Sequence, residues 1–138
     1  MRERRGPSLS KRILVVDDDP DIRQILLDRL SSYGYAVETA INGREALDAL
    51  RRGGFDGMLL DIRMPEIDGL EVLRQTRARE RDAAIQPDVA IKIVVFTAFT
   101  TPETTRQAIA EGAQGYLFKP FDSSQLKQVV EQYFGPAV

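Results

Sequence analysis

The sequence predicts an α/β fold: a doubly wound, five-stranded parallel sheet with helices on both faces. Three observations predict it. Short apolar runs alternate five times with amphipathic stretches, which is the signature of repeated strand–helix units. The strongest runs, Ile13-Leu14-Val15-Val16 and Met58-Leu59-Leu60, contain no polar residue, as strands covered on both faces require. Four of the five runs are followed by Asp, Thr or Lys, and right-handed crossovers place all of these residues on one edge of the sheet.

The first run stops at Asp17-Asp18-Asp19-Pro20, where Pro20 suits the first helical position and an Asp before it can cap the free N–H groups. Ile22, Ile25, Leu26 and Leu30 follow at helical spacing, and Gly34 ends that helix. Residues 36–40 alternate around Val37 as a weaker second strand. Asn42-Gly43 opens a second helix carrying Ala46, Leu47 and Leu50, closed by Gly53-Gly54. Residues 57–61 form the third strand, and Pro65, four residues after Asp61, prevents its continuation. Asp68-Gly69 starts a third helix with Leu70, Val72 and Leu73; its tail, residues 74–81, is heavily charged and reads as solvated. Residues 82–90, with Pro87, read as loop, and 91–96 as the fourth strand. Pro102 and Glu103 begin a weakly amphipathic helix ending near Gly112. Tyr116-Leu117-Phe118 is a short fifth strand. Asp122-Ser123-Ser124-Gln125 has the form of a capping box before a last helix with Leu126, Val129, Val130 and Tyr133.

With 138 residues the chain is one domain, large enough to bury a core without staples. The expected division is a flexible arm over 1–10, a domain over 11–135 and a tail over 136–138, with no output domain inside the chain. A net charge of −2 gives no basic field for nucleic acid. No apolar run reaches membrane-spanning length and no signal peptide is visible, so a cytoplasmic protein is expected. Cys and His are both absent, which excludes thiol and imidazole chemistry on this chain. What remains is carboxylate, hydroxyl and lysine.

Those groups gather at the carboxyl edge. The first strand delivers Asp17 and Asp18, the third Asp61, the fourth Thr97 and the fifth Lys119, and open α/β sheets bind ligands just outside those ends. A carboxylate at the lip of a strand is a helix cap, a metal ligand or a nucleophile. Clustered carboxylates raise one another's pKa unless a cation compensates, and an all-oxygen set suits Mg²⁺. Asp61, alone at the end of a central strand, is the natural nucleophile toward phosphorus, with Lys119 and Thr97 to hold phosphoryl oxygens.

On these residues the chain resembles the response-regulator receiver domains of two-component signalling. The resemblance rests on residues 13–20, Leu60-Asp61-Ile62-Arg63-Met64-Pro65 with Asp68-Gly69, Thr97-Ala98 and Gly115-Tyr116-Leu117-Phe118-Lys119-Pro120, and it spans residues 11–134. It implies a flavodoxin-like strand order 2-1-3-4-5. It implies Asp61 as phosphoacceptor from a phosphohistidine on a sensor histidine kinase or histidine phosphotransfer protein. Mg²⁺ would be held by Asp17, Asp18, Asp61 and the backbone carbonyl of Arg63, and Thr97 and Lys119 would grip the phosphoryl group. A cis Lys119-Pro120 bond is implied, as is Tyr116 as a switch aromatic that turns inward on phosphorylation. The downstream effector would bind the face of the fourth helix, fifth strand and fifth helix. The expected product is a signalling module, not a turnover enzyme, monomeric or dimerising on phosphorylation, with no nucleic-acid or membrane partner of its own.

Two departures from the family pattern stand out. The stretch between Gly69 and Thr97 is several residues longer than usual, with the extra residues expected around 79–88. Arg63 and Phe99, each two residues beyond a site residue, flank the phosphoryl position and lead to an expectation of slow autodephosphorylation. Other functions fit less well. Asp17-x-Asp19 also resembles the nucleophile motif of haloacid-dehalogenase-type phosphatases, but Asp21 stands where a hydroxyl or small residue is normal. A flavin-binding module would need a loop rich in Ser, Thr and Gly after the first strand, where this chain is acidic. A scaffold-only receiver would not need the full set of Asp18, Asp61, Thr97 and Lys119.

Overall fold

The computed structural model describes residues 10–98 and 101–138. The expected N-terminal arm, except for Ser10, and Phe99 lie outside the described residues. Ten elements alternate along the chain: β1 (Arg12–Val16), α1 (Pro20–Ser32), β2 (Ala36–Ala40), α2 (Gly43–Arg52), β3 (Gly57–Asp61), α3 (Gly69–Asp82), β4 (Lys92–Thr97), α4 (Pro102–Ala110), β5 (Gly115–Phe118) and α5 (Ser123–Phe134). The strands form one sheet in the order β2-β1-β3-β4-β5, every pair parallel, as the resemblance implied.

Side chains of successive strand residues point to opposite faces, so each central strand contributes to two cores. Leu14, Val16, Met58, Leu60, Ile93 and Val95 pack with Ala46, Leu47, Val72, Leu73 and Ala108 from α2, α3 and α4. Ile13, Val15, Leu59, Val94 and Phe96 pack on the other face with Leu26 and Leu30 of α1 and Leu126, Val130 and Phe134 of α5. Double coverage explains the unbroken apolar runs of β1, β3 and β4. β2 and β5 are the edge strands and are buried on one side at most, which explains their weaker patterns.

The helix starts are side-chain capped where the sequence placed caps. Asp19 accepts from the Asp21 and Ile22 N–H groups ahead of Pro20, Asn42 from Glu45 N–H, and Asp68 from Glu71 N–H. Asp122 and Gln125 form the complete capping box of α5. Observed β4 begins and ends one residue later than its apolar run suggested, because Thr97 still pairs with Phe118.

The α3 tail departs from expectation. It is not a fully solvated stretch. Thr76 is buried and its hydroxyl donates to the Val72 carbonyl, while the Arg77 and Glu80 side chains are only 11% and 18% exposed. Charge alone suggested solvent, but a charged side chain can be buried when all its polar atoms find partners. The extra residues expected around 79–88 fall partly in the last turn of α3, which ends at Asp82, and partly in the connection after it, which turns through Ala84 in the left-handed region. At the other end, residues 135–137 double back, and the Ala137 carbonyl accepts the Lys11 N–H at 2.7 Å.

Candidate functional site

Strand order reverses between β1 and β3, and the crevice at their carboxyl ends holds the polar groups. Asp17 follows β1 and is fully buried; Asp61 closes β3 at 4% exposure; Asp18, one residue on, faces solvent. Each of the three offers a carboxylate oxygen, and these oxygens all lie within 4.8 Å of one another. Lys119, just after β5, reaches in with its Nζ 2.9 Å from Asp17 Oδ2 and 3.7 Å from Asp61 Oδ2. The same ammonium lies 4.7 Å from the centre of the Phe96 ring, whose π face favours a cation.

The backbone locks this arrangement. Asp17 Oδ1 accepts the Asp19 N–H at 2.8 Å, which aims one oxygen at its own loop and leaves the other for Lys119. Asp61 Oδ1 accepts the Arg63 N–H at 3.2 Å. Gly69 is packed so tightly under the end of β3 that a Cβ there would lie 2.3 Å from the Asp61 carbonyl oxygen. The start of α3 therefore presses directly on the end of β3.

Asp61's carboxyl is pushed up from the ordinary value of 3.8 to about 7. Burial is the main cause, followed by the negative charge of Asp17; Lys119 and the Arg63 N–H oppose the shift, and Asp18 adds to it. The three carboxylates outnumber the Lys119 ammonium among them, which leaves an excess of negative charge among these four groups. That excess, an all-oxygen donor set and one solvent-facing member suit a hard divalent cation that keeps part of its water.

Thr97 is buried at the end of β4, one strand over from Asp61, and its carbonyl accepts the Lys119 N–H at 3.0 Å. The Lys119-Pro120 peptide is cis. The structure thus brings together Asp17, Asp18, Asp61 and Lys119, with Thr97 on the adjoining strand end. Tyr116 is outside this group. It is 40% exposed on β5, its ring packed 4.9 Å from that of Phe118. Arg63 contributes its backbone at the rim. Sequence reasoning missed Arg23, whose Nη1 donates to the Asp17 carbonyl at 2.8 Å and braces the loop after β1. Its position one turn into α1, beside the acidic loop, was the available signal.

A cleft of about 320 Å³ opens beside Lys119, lined by Ile22, Ile25, Arg29, Ala98, Pro120 and Phe121. A larger one, about 600 Å³, lies at the opposite edge of the sheet among Leu50, Phe55, Ile85 and Ile91 and contains none of these site residues. Size is the weaker guide here; the charged groups mark the site.

A family model described as "Response regulator receiver domain" matches residues 13–131. The transcriptional regulatory protein ZraR of Salmonella typhimurium is 40% identical over 87% of this chain, which spans 25% of that protein's length. Two solved structures share the fold. The receiver domain of the sensor histidine kinase PA1611 from Pseudomonas aeruginosa PAO1, with a magnesium ion coordinated in its active-site cleft, superposes with a TM-score of 0.78 at 28% identity, covering 91% of this chain and 98% of that one. The Saccharomyces cerevisiae response regulator Ssk1, whose receiver domain was crystallised with the histidine phosphotransfer protein Ypd1, gives 0.81 at 25% identity, covering 90% and 88%. With its fold, its acidic crevice and a family match over nearly its whole length, this chain belongs to the response regulator receiver domain family.

Proposed function

We propose that the chain accepts a phosphoryl group on Asp61 from the phosphohistidine of a sensor histidine kinase or histidine phosphotransfer protein, and that this switches a protein-binding face. The observation that supports it most is the convergence of Asp17, Asp18 and Asp61 within 4.8 Å under the Lys119 ammonium.

Asp17, Asp18, Asp61 and the Arg63 carbonyl would hold Mg²⁺, which would supply positive charge to keep Asp61 ionised and to offset the charge of a phosphoryl group. A carboxylate oxygen of Asp61 attacks phosphorus while the P–N bond to the donor imidazole breaks, leaving an aspartyl phosphate. Lys119 moves from Asp17 and Asp61 onto a phosphoryl oxygen, and the Thr97 hydroxyl donates to another. The apolar cleft of Ile22, Ile25 and Phe121, open beside Lys119, suits the helical surface of a donor that must bring its imidazole to Asp61.

Phosphorylation replaces one negative charge by about two with strong acceptor oxygens. Thr97 is drawn toward them, and Tyr116, now outside, turns into the space left behind. The exposed Ile109, Tyr116 and Phe118 belong to the face of α4, β5 and α5 that this would reshape for an effector or a second copy. The chain acts as a switch in the cytoplasm and not as a turnover enzyme. Autodephosphorylation is slow, an expectation that rests on the residue types two positions beyond Asp61 and Thr97, Arg63 and Phe99; an unchanged phosphoryl half-life in the Arg63→Ala and Phe99→Ala variants would refute that part.

Intact mass after incubation with Mg²⁺ and acetyl phosphate tests the central claim. The expected result is a gain of one phosphoryl group that requires Mg²⁺ and is lost in Asp61→Ala. Gain that persists in Asp61→Ala but disappears in Asp17→Ala would point to phosphatase chemistry instead.

A further inference from the structure

Arg77, on the charged tail of α3, is 11% exposed and fully hydrogen-bonded. Every N–H of its guanidinium has a partner. Nε and Nη2 donate to the Gly112 carbonyl at 3.0 and 2.8 Å, and Nη2 also to Gln114 Oε1 at 2.9 Å. Nη1 donates to the Ile91 carbonyl at 2.8 Å and to Glu80 Oε1 at 2.7 Å. Glu80's other oxygen accepts the Ile91 N–H at 2.9 Å. Gln114 completes the knot by pairing with both backbone groups of Ile93. One side chain thus joins α3, the entry to β4 and the turn between α4 and β5.

The turn is shaped around it. Gly112 has φ +111, and a Cβ there would lie 2.8 Å from Arg77 Cγ and Nε, so both the conformation and the contact demand glycine. One residue earlier, Glu111 accepts from Arg74 Nε and Nη2 at 3.1 and 3.0 Å, a second tie from α3, though a more exposed one. The rest of α4 is held lightly. Its only buried side chain is Ala108, in its last turn, whereas α2 and α3 each bury four residues. A helix with few buried contacts has low local stability except where it is tied.

We propose that Arg77 is a positioning residue that makes the carboxyl end of α4 the fixed pivot of the switch, so that rearrangement is confined to its amino-terminal half. This rests on the phosphoacceptor function proposed above. A helix of this length extends about 13 Å, so a tilt of about 10° about residues 108–112 moves its first turn by about 2 Å. The pivot keeps Ala108 and Ala113 in the core while residues 102–106 sweep the face that an effector would read.

Hydrogen exchange of the whole chain, with and without Mg²⁺ and beryllofluoride as phosphoryl analogue, tests this. In the wild type, amides 103–106 change on adding the analogue while 109–115 do not. In Arg77→Gln, amides 109–115 exchange roughly tenfold faster at rest and now respond to the analogue, although the variant still gains a phosphoryl group from acetyl phosphate. Equal responses of the two segments in the wild type would overturn the pivot, with no variant needed. A wild-type pattern in Arg77→Gln would remove Arg77 from the role. Failure of the wild type to gain phosphoryl mass would overturn the phosphoacceptor reading and the pivot with it, an outcome distinct from both.

Discussion

Asp61 is held where burial and the Asp17 charge oppose its ionisation. Its carboxyl titrates near 7 in the folded protein against an ordinary 3.8, so folding favours its neutral form. A raised folded-state pKa contributes stability that is fully present below about pH 4 and is lost as pH rises through about 7. In metal-free buffer the Asp61→Asn variant, which has no such group to ionise, should gain on the wild type by about 2–3 kcal/mol between pH 5 and pH 8 in urea unfolding. Added Mg²⁺ should close much of that gap by stabilising only the wild type. A gap that stays flat with pH would show that Asp61 ionises without cost. At this scale the acidic residues, Thr97 and Lys119 were legible because each follows an apolar run at the same edge. Arg23 and the Phe96 ring beneath Lys119 were not, since both depend on how a helix and a strand face each other across the crevice.

The elements hold the site by close approach as much as by hydrogen bonding. Gly69 shows it best, because its backbone angle is ordinary and only space demands glycine. A methyl group there would meet the Asp61 carbonyl oxygen at 2.3 Å and the Ile62 Cα at 2.7 Å. Gly69→Ala should therefore push α3 away from β3, lower stability by about 1–3 kcal/mol and slow phosphorylation of Asp61 by acetyl phosphate. Thermal unfolding and the mass assay measure the two effects; a variant with wild-type values for both would mean that α3 can slide without cost. The helix starts were readable from Asp19, Asn42, Asp68 and Asp122, since a cap is a local interaction of a few residues. The α3 tail was misread for the opposite reason. Apart from Glu80, Arg77 is covered by partners 14 to 37 residues away, and no local pattern announces such partners.

For the whole molecule, the five-fold alternation of strand and helix was enough to predict a parallel sheet covered on both faces, but not the order of its strands. Alternation says which elements exist; neighbours in the sheet are chosen by packing, and the order 2-1-3-4-5 came through the family resemblance before the structure showed it. Because β1, β3 and β4 supply side chains to both cores, the two faces cannot unfold separately without exposing the same strands. Leu26 of α1 and Leu73 of α3 are each fully buried, on opposite faces of the sheet. Replacing either by alanine should cost about 2–5 kcal/mol through lost burial and the cavity left behind. In each variant helical circular dichroism and tyrosine fluorescence should still report one coincident urea transition, with the slope of the wild type. Two separated transitions in Leu26→Ala would mean that α1 and α5 can peel from a sheet that α2, α3 and α4 alone keep folded. In a single cooperative unit, a change at Asp61 is felt by both helical layers, because β3 lies at the middle of the sheet and contributes Leu59 to one core and Leu60 to the other.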